Sequence, residues 1–301
     1  MFCGSRKTIN WGGRRRRCND CKRSFRVEKR GRKVGPVLHD RYVLDRSTYR
    51  RVGTTKKRSH VGILKALHRN LEGIVFSNEG TPSGILLLDG KVVVIRGVKH
   101  CEHLIWDMKA GLLARKLCIG KESPKVFDEL LQDILGRGIV FTSATIDGLP
   151  GLRQILEVYG AKVERCHVHL LRDLRVGLQL KLKYKRRHPK NTQKFLIHRY
   201  CQLFLAASPS TFNLRLRHVV RLARENLFEI NPIQLQAVHR FLKSARYAFA
   251  HFEDPSIPTT TNRLESYISH FNARLLTMRG FKKPENANRI LIALHLSLLN
   301  S

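Results

Sequence analysis

Apolar and polar residues alternate in two distinct rhythms along this chain. From Gly84 onward, Ile85-Leu86-Leu87-Leu88 and Val92-Val93-Val94-Ile95 are short apolar runs of the kind that form buried strands. Asp89 closes the first run, and Gly90-Lys91 between the two reads as a hairpin signal. Residues 103–107 and 112–118 predict two further extended runs around Lys109-Ala110-Gly111. The rhythm then changes. Ser123 in an N-cap position, Pro124 at the first helical position and apolar Val126, Phe127, Leu130, Leu131 and Ile134 predict an amphipathic helix. A strand over 138–146, a helix over 149–159 and a strand over 162–168 follow. Residues 170–255 read as mainly helical, and 259–273 and 284–299 as two more helices. Strands first, then alternating helix and strand, predict an α/β sheet covered by helices.

Upstream of residue 84 the pattern is poorer in apolar residues. Residues 46–52 predict a short polar helix, Gly53-Thr54-Thr55 a turn, and the stretch containing Leu64-Lys65-Ala66-Leu67 a longer helix. That layout suits a helix-turn-helix whose second helix enters a DNA groove, although many unrelated helical hairpins share it.

Charge alters this picture. The 301 residues carry 57 Lys and Arg against 23 Asp and Glu, a formal net charge of +34. Residues 1–60 alone hold 20 basic and 4 acidic side chains, so this block is expected to stand apart from the core of the rest. No acid occurs between Asp173 and Glu225, a stretch with 13 Lys or Arg. A surface of this kind attracts a polyanion, most simply nucleic acid. No run of about 18 apolar residues and no signal-peptide core is present, which argues against a membrane span and a secretory route. Seven cysteines without a secretory signal suggest a reducing compartment.

Against such a surface, three carboxylates stand out. Asp89 and Asp147 each close an apolar run, and Glu265 lies three residues after Asn262, the spacing of a capping box. Each has a bland explanation: an Asp-Gly turn, a helix N-cap and a capping box. Together they offer oxygen donors on separate elements, the donor type that Mg²⁺ prefers, and two such ions can promote in-line displacement at phosphorus. Asp107, followed by Met108-Lys109-Ala110-Gly111, reads as a turn residue instead.

Leu88-Asp89-Gly90-Lys91, then Thr145-Ile146-Asp147-Gly148-Leu149-Pro150-Gly151-Leu152 with Cys166-His167-Val168-His169, then Thr260-Thr261-Asn262-Arg263-Leu264-Glu265 and Met278-Arg279-Gly280-Phe281 occur in that order. As a set they resemble the Mutator-related bacterial insertion-sequence transposases of the DDE class, over about residues 84–292. The resemblance implies an α/β ribonuclease-H-like mixed sheet flanked by helices, spanning 81–301 with an all-helical insertion over about 172–255. It implies Asp89, Asp147 and Glu265 as catalytic ligands of Mg²⁺ (or Mn²⁺), as two ions, with Cys166 and His169 beside the active site and His169 helping to position DNA. No neighbouring Cys-x-x-Cys or His pair completes a zinc site at Cys166 and His169. The implied activity is cleavage and strand transfer at transposon ends. The partners would be double-stranded DNA (terminal inverted repeats and target) and further copies of the chain, in the cytoplasm at the nucleoid.

Residues 1–35 resemble the zinc ribbon that often precedes such domains, and 36–80 would be the helix-turn-helix-like region. Cys18 and Cys21 form one knuckle, whereas only Cys3 remains of the other, its partner falling before Met1. The expected zinc ligands are therefore Cys3, Cys18 and Cys21, with a truncated or misassigned start, or His39 as a substitute. Arg14, Arg15, Arg16 and Arg17, Lys56, Lys57 and Arg58, and Lys185, Arg186 and Arg187 are the expected DNA-contacting clusters. Two alternatives stay open: an inactive DNA-binding relic of a transposase, and a basic nucleic-acid-binding protein without a metal site.

Overall fold

The computed structural model describes residues 7–10, 15–26, 49–55, 59–78, 80–178, 201–225, 231–276, 281 and 283–299. Near the amino terminus, β1 (Thr8–Asn10), β2 (Arg15–Cys18) and β3 (Ser24–Arg26) form a small antiparallel sheet. Among the described residues, two helices follow, α1 (Tyr49–Thr55) and α2 (His60–Asn70). The expected turn at Gly53-Thr54-Thr55 is part of α1. The real start of α2 is set by Ser59, whose hydroxyl accepts from the Gly62 amide.

The main sheet has five strands: β4 (Ile85–Ile95), β5 (Val98–Asp107), β6 (Gly111–Ile119), β7 (Ser143–Ile146) and β8 (Lys162–Arg165), in the order β6-β5-β4-β7-β8. The first three are an antiparallel meander. β7 then joins β4 in parallel and β8 joins β7 in parallel. This mixed sheet with its helices is consistent with a ribonuclease-H-like α/β fold. The hairpin expected at Gly90-Lys91 does not exist: β4 runs straight through it, and the chain reverses at Arg96-Gly97, both with positive φ (51° and 80°). Two left-handed residues suit the twist of a tight hairpin, and pairing with β5 over the whole length of β4 overrides the local Asp-Gly signal.

Helices α3 (Pro124–Gly136) and α4 (Leu152–Val158) cover one face. In α3, Phe127, Leu130, Leu131 and Ile134 form an i, i+3, i+4, i+7 stripe packed on Leu86, Leu88, Ile105, Ala144 and Ile146 of the sheet. Each such side chain contributes about 1.5–3 kcal/mol when fully buried. The opposite face buries Leu87, Leu104 and Leu112 against Leu264 of α9 (Asn262–Leu276). Between β8 and α9 lie α5 (His167–Gly177), α6 (Pro209–Arg224), α7 (Pro232–Ala245) and the short α8 (Ala250–Glu253), with a core of their own around Leu170, Phe212, Val238 and Phe241. The strand expected over 162–168 ends at Arg165, because Cys166 already occupies the N-cap of α5.

Contrary to its charge, the carboxyl end of the amino-terminal block, at α1, joins the core of the rest. Val52 of α1 and Ile63, Leu67 and Leu71 at α2 share a core with Phe271 of α9 and with Ile290, Leu291, Ala293 and Leu294 of α10 (Pro284–Leu299). One apolar face was enough to join them, while the basic residues of α2, Lys65 and Arg69, stay exposed.

Candidate functional site

The parallel register of β4 and β7 pairs Leu88 with Ile146, so one step further along both strands brings Asp89 and Asp147 side by side. The two differ in setting. Asp89 is an interior position of the long β4, where it pairs with Leu104 of β5, and its Oδ1 accepts from the Gly90 amide at 2.7 Å. Asp147 lies just past the carboxyl end of β7, where ligand sites form in α/β sheets, and its Oδ1 accepts from the Leu149 amide at 3.2 Å. Gly148 has φ 99°, and the Arg165 guanidinium lies where any side chain at position 148 would stand. Arg165 is held by the Ile146 carbonyl and by Asp173 at 3.2 Å, which brings a positive charge alongside Asp147.

Glu265 comes to this site from the first turn of α9, though not through the expected capping box. Its amide donates to the Thr261 carbonyl and its Oε1 accepts from the Thr261 hydroxyl at 2.9 Å. Thr261 is fully buried and also reaches Cys166 Sγ and His169 Nδ1, both at 3.4 Å. His169 Nδ1 lies 3.2 Å from Cys166 Sγ and 3.5 Å from Glu265 Oε1. Cys166 and His169 stand i, i+3 at the start of α5, aimed at the start of α9. Sequence spacing offered no third donor beside them; the fold supplies Glu265, which lies with Cys166 and His169 inside a 4.8 Å circle of donor atoms. Burial disfavours the charged forms of both Cys166 and His169, but their hydrogen bond outweighs it, drawing the thiol down and the imidazole up.

A fourth carboxylate, unnoticed in the sequence, completes the group. Glu122, Asp89 and Asp147 place one ligand oxygen each within 4.8 Å of one another. Glu122 precedes α3, in a segment fixed by the Ser123 amide, which donates to His103 Nε2 at 2.9 Å. It lies directly over Gly90, where an added Cβ would come within 2.7 Å of its side-chain carbons. The only local signal was an acid just before the Ser-Pro helix start in a basic chain, and no motif marks it.

Burial first, then Asp147, pushes the Asp89 carboxyl up to about 6, with Glu265 adding to the rise. Burial, then Asp147 and Asp89, pushes Glu122 up to about 8. Crowded carboxylates resist joint ionisation unless a cation is near. Oε1 of Glu122 is buried without a hydrogen-bond partner among the described residues. An all-oxygen donor set with an orphaned buried oxygen, seated over a glycine that leaves it room, fits Mg²⁺ or Mn²⁺.

Other expected site residues fall elsewhere. Arg15, Arg16 and Arg17 lie on β2, the first two exposed, and the Arg17 guanidinium donates to the Lys22 carbonyl. Cys18 is buried at the end of β2 and Cys21 half-buried in the following turn. Cys3, Arg14, His39, Lys56, Lys57, Arg58, Lys185, Arg186 and Arg187 lie outside the described residues. Asp107 is a structural turn residue, as its setting suggested: buried, it accepts from the amides of Ser83, Gly84, Lys109 and Ala110.

No family model and no curated protein matches the sequence. Among solved structures, the chain is similar to the HTLV-2 integrase catalytic core domain in complex with magnesium, at 19% identity and TM-score 0.24, over 35% of this chain and 81% of that one. It is also similar to the Drosophila P element transposase strand transfer complex, at 9% identity and TM-score 0.48, over 87% of this chain and 92% of that one. A simian T-cell lymphotropic virus intasome in complex with a PP2A regulatory subunit matches at 9% identity and TM-score 0.24, over 59% and 66% of the respective chains.

Proposed function

We propose that this chain is a DNA transposase of the DDE type, a polynucleotidyl transferase that cleaves DNA at transposon ends and joins the freed end to a target. The observation that carries this reading is the convergence of Asp89, Glu122 and Asp147, with Glu265 close enough to act on Asp89, in a chain of net charge +34. Asp89, Asp147 and Glu265 would hold divalent ions, with Glu122 as a further ligand. Bound there, Mg²⁺ would activate the attacking oxygen and stabilise the leaving one.

The chain's own residues do the rest. Thr261 orients the Glu265 carboxylate, and His169, buried behind it, braces the same carboxylate and would position DNA only through it. Arg165 balances charge next to Asp147. Arg15 and Arg16 on β2 and Lys65 and Arg69 on α2 would hold the phosphate backbone away from the acids. Cys18 and Cys21 would bind zinc with ligands outside the described residues, Cys3 among them. The order of the Asp-Gly, Cys-x-x-His and Thr-Asn-Arg-x-Glu motifs favours the Mutator-related insertion-sequence lineage, and with it work as an oligomer on DNA at the nucleoid. No helix among the described residues is long and apolar enough to cross a membrane.

Incubation of the protein with DNA carrying the inverted repeats that flank its gene, with and without Mg²⁺ and beside Asp147→Ala, tests this. Mg²⁺-dependent nicking at the repeat ends, lost in the variant, is expected. Binding of that DNA without cleavage by the wild type would leave a DNA-binding protein and overturn the enzymatic reading.

A further inference from the structure

A second group of metal-ligating side chains lies apart from the carboxylates. Glu164 of β8, His167 at the start of α5 and His251 of α8 each place one donor atom within 4.8 Å of the others. Glu164 Oε1 is 2.9 Å from His167 Nε2 and 3.2 Å from His251 Nδ1, and Oε2 accepts from the His251 amide at 3.1 Å. Glu164 is fully buried and His167 nearly so, while the His251 side chain keeps 17% of its surface exposed. The rings are held in place by aromatic neighbours. His167 stacks on Phe204 with centroids 4.2 Å apart, and His251 lies 3.9 Å from Phe252.

Two readings compete. In the bland one, both imidazoles donate to the carboxylate and the cluster is a closed hydrogen-bonded unit. A fully buried carboxylate then keeps a charge that burial makes costly, although the hydrogen bonds of the two rings draw its carboxyl below the ordinary value. Two imidazole nitrogens and one carboxylate oxygen, drawn from three elements onto one point and opening to solvent only at His251, are also the donor set of a three-ligand zinc centre whose fourth position takes water. Nitrogen donors separate this cluster from the all-oxygen site at Asp89 and select a borderline transition metal over Mg²⁺.

We propose that Glu164, His167 and His251 form a zinc-type transition-metal site that ties the edge strand β8 and the start of α5 to α8. The ion would clamp the helical unit of α6–α8 to the sheet. It would thereby stiffen the turn that presents Cys166 and His169, since His167 and those two residues share the first turn of α5 and the His167 amide is anchored on the Thr259 carbonyl at 3.0 Å. This site does not depend on the proposed transposase activity.

Full-length protein stripped by chelator and titrated with Zn²⁺ alone tests it, beside His251→Gln and Glu164→Gln. Either variant should take up one zinc equivalent fewer than the wild type. Zn²⁺ should raise the Tm of the wild type more than that of either variant. Glutamine at 251 can still donate to Glu164, so its metal-free Tm should stay close to the wild type's and separates lost metal binding from lost fold. Co²⁺ absorption identifies the donors. The band lost in His251→Gln should be a d–d band without a thiolate charge-transfer component, and Cys166→Ser should keep it. Equal zinc uptake and equal zinc-dependent Tm shifts in wild type and His251→Gln would overturn the site and leave the hydrogen-bonded cluster. If His251→Gln does not fold, His167→Gln replaces it with the same two outcomes.

Discussion

Gly90 is the residue on which the geometry of the carboxylate site turns. Its φ is not in the left-handed region, so alanine is compatible with the backbone; what alanine cannot share is the space taken by Glu122. Gly90→Ala should therefore leave the fold intact and push Glu122 aside. A displaced supporting ligand typically weakens metal affinity about 10–100-fold. Calorimetric titration with Mn²⁺ should show that loss at Gly90→Ala with little change in Tm; an unchanged affinity would remove Glu122 from the site. The same pair shows what the sequence disclosed and what it hid. Asp89-Gly90 looked like a turn because turn chemistry is local, whereas the true use of the glycine is to admit a side chain from 32 residues further along the chain. Asp147 was legible because strand ends and glycines punctuate a sequence. Glu122 was not, because its position is set by the Ser123–His103 hydrogen bond and by no repeat or motif.

Among the elements, the joint between the sheet and α10 rests on a buried ionic group. Glu102 of β5 is fully buried, 2.6 Å from Arg115 of β6 and 3.0 Å from His295 of α10, and Arg115 reaches on to Asn288 of α10. This explains why β5 was expected only from residue 103. His100 and Glu102 break the apolar rhythm, and a partner 193 residues away cannot be read from local pattern. By contrast, the start and the apolar face of α3 are legible in the sequence, since a Ser-Pro start and an i, i+3, i+4, i+7 stripe are local features. Glu102→Gln strands the buried Arg115 charge, and loss of one partner of such a pair costs about 3–5 kcal/mol, readable as a lower urea midpoint. Although burial opposes ionisation, Arg115 and His295 hold the Glu102 carboxyl down at about 2, below its ordinary 4.5. A depressed folded value contributes stability that is complete above pH 4.5 and is lost as pH falls through about 2. Acid denaturation of the wild type should follow that window, and Glu102→Gln should show a shallower acid limb.

At the scale of the whole molecule, a net charge of +34 and a cluster of three carboxylates, with Glu265 as a nearby fourth, have opposite effects on a phosphate backbone. DNA binding should weaken steeply with salt, with a slope of about −0.9 per phosphate contacted. Asp147→Asn should keep that slope, since it removes no cation, and should bind DNA at least as tightly as the wild type when no divalent ion is present.

The acids also set how the protein answers to pH. Glu122 is raised from 4.5 to about 8 and Asp89 from 3.8 to about 6, so the folded, metal-free chain binds more protons than the unfolded chain between those limits. Raised carboxyl values contribute stability that is present below the ordinary values and is lost as pH climbs through the folded ones. The metal-free protein should therefore lose Tm from about pH 4.5 to about pH 8, opposite in sign to the effect of Glu102 at lower pH. A divalent cation between the carboxylates favours their ionised forms, so Mg²⁺ or Mn²⁺ should raise Tm most at pH 8 and least near pH 5. Glu122→Gln should flatten the decline in the metal-free protein and shrink the cation-induced rise at pH 8. A cation-induced rise of equal size at both pH values would mean that the ions bind elsewhere than among these four acids.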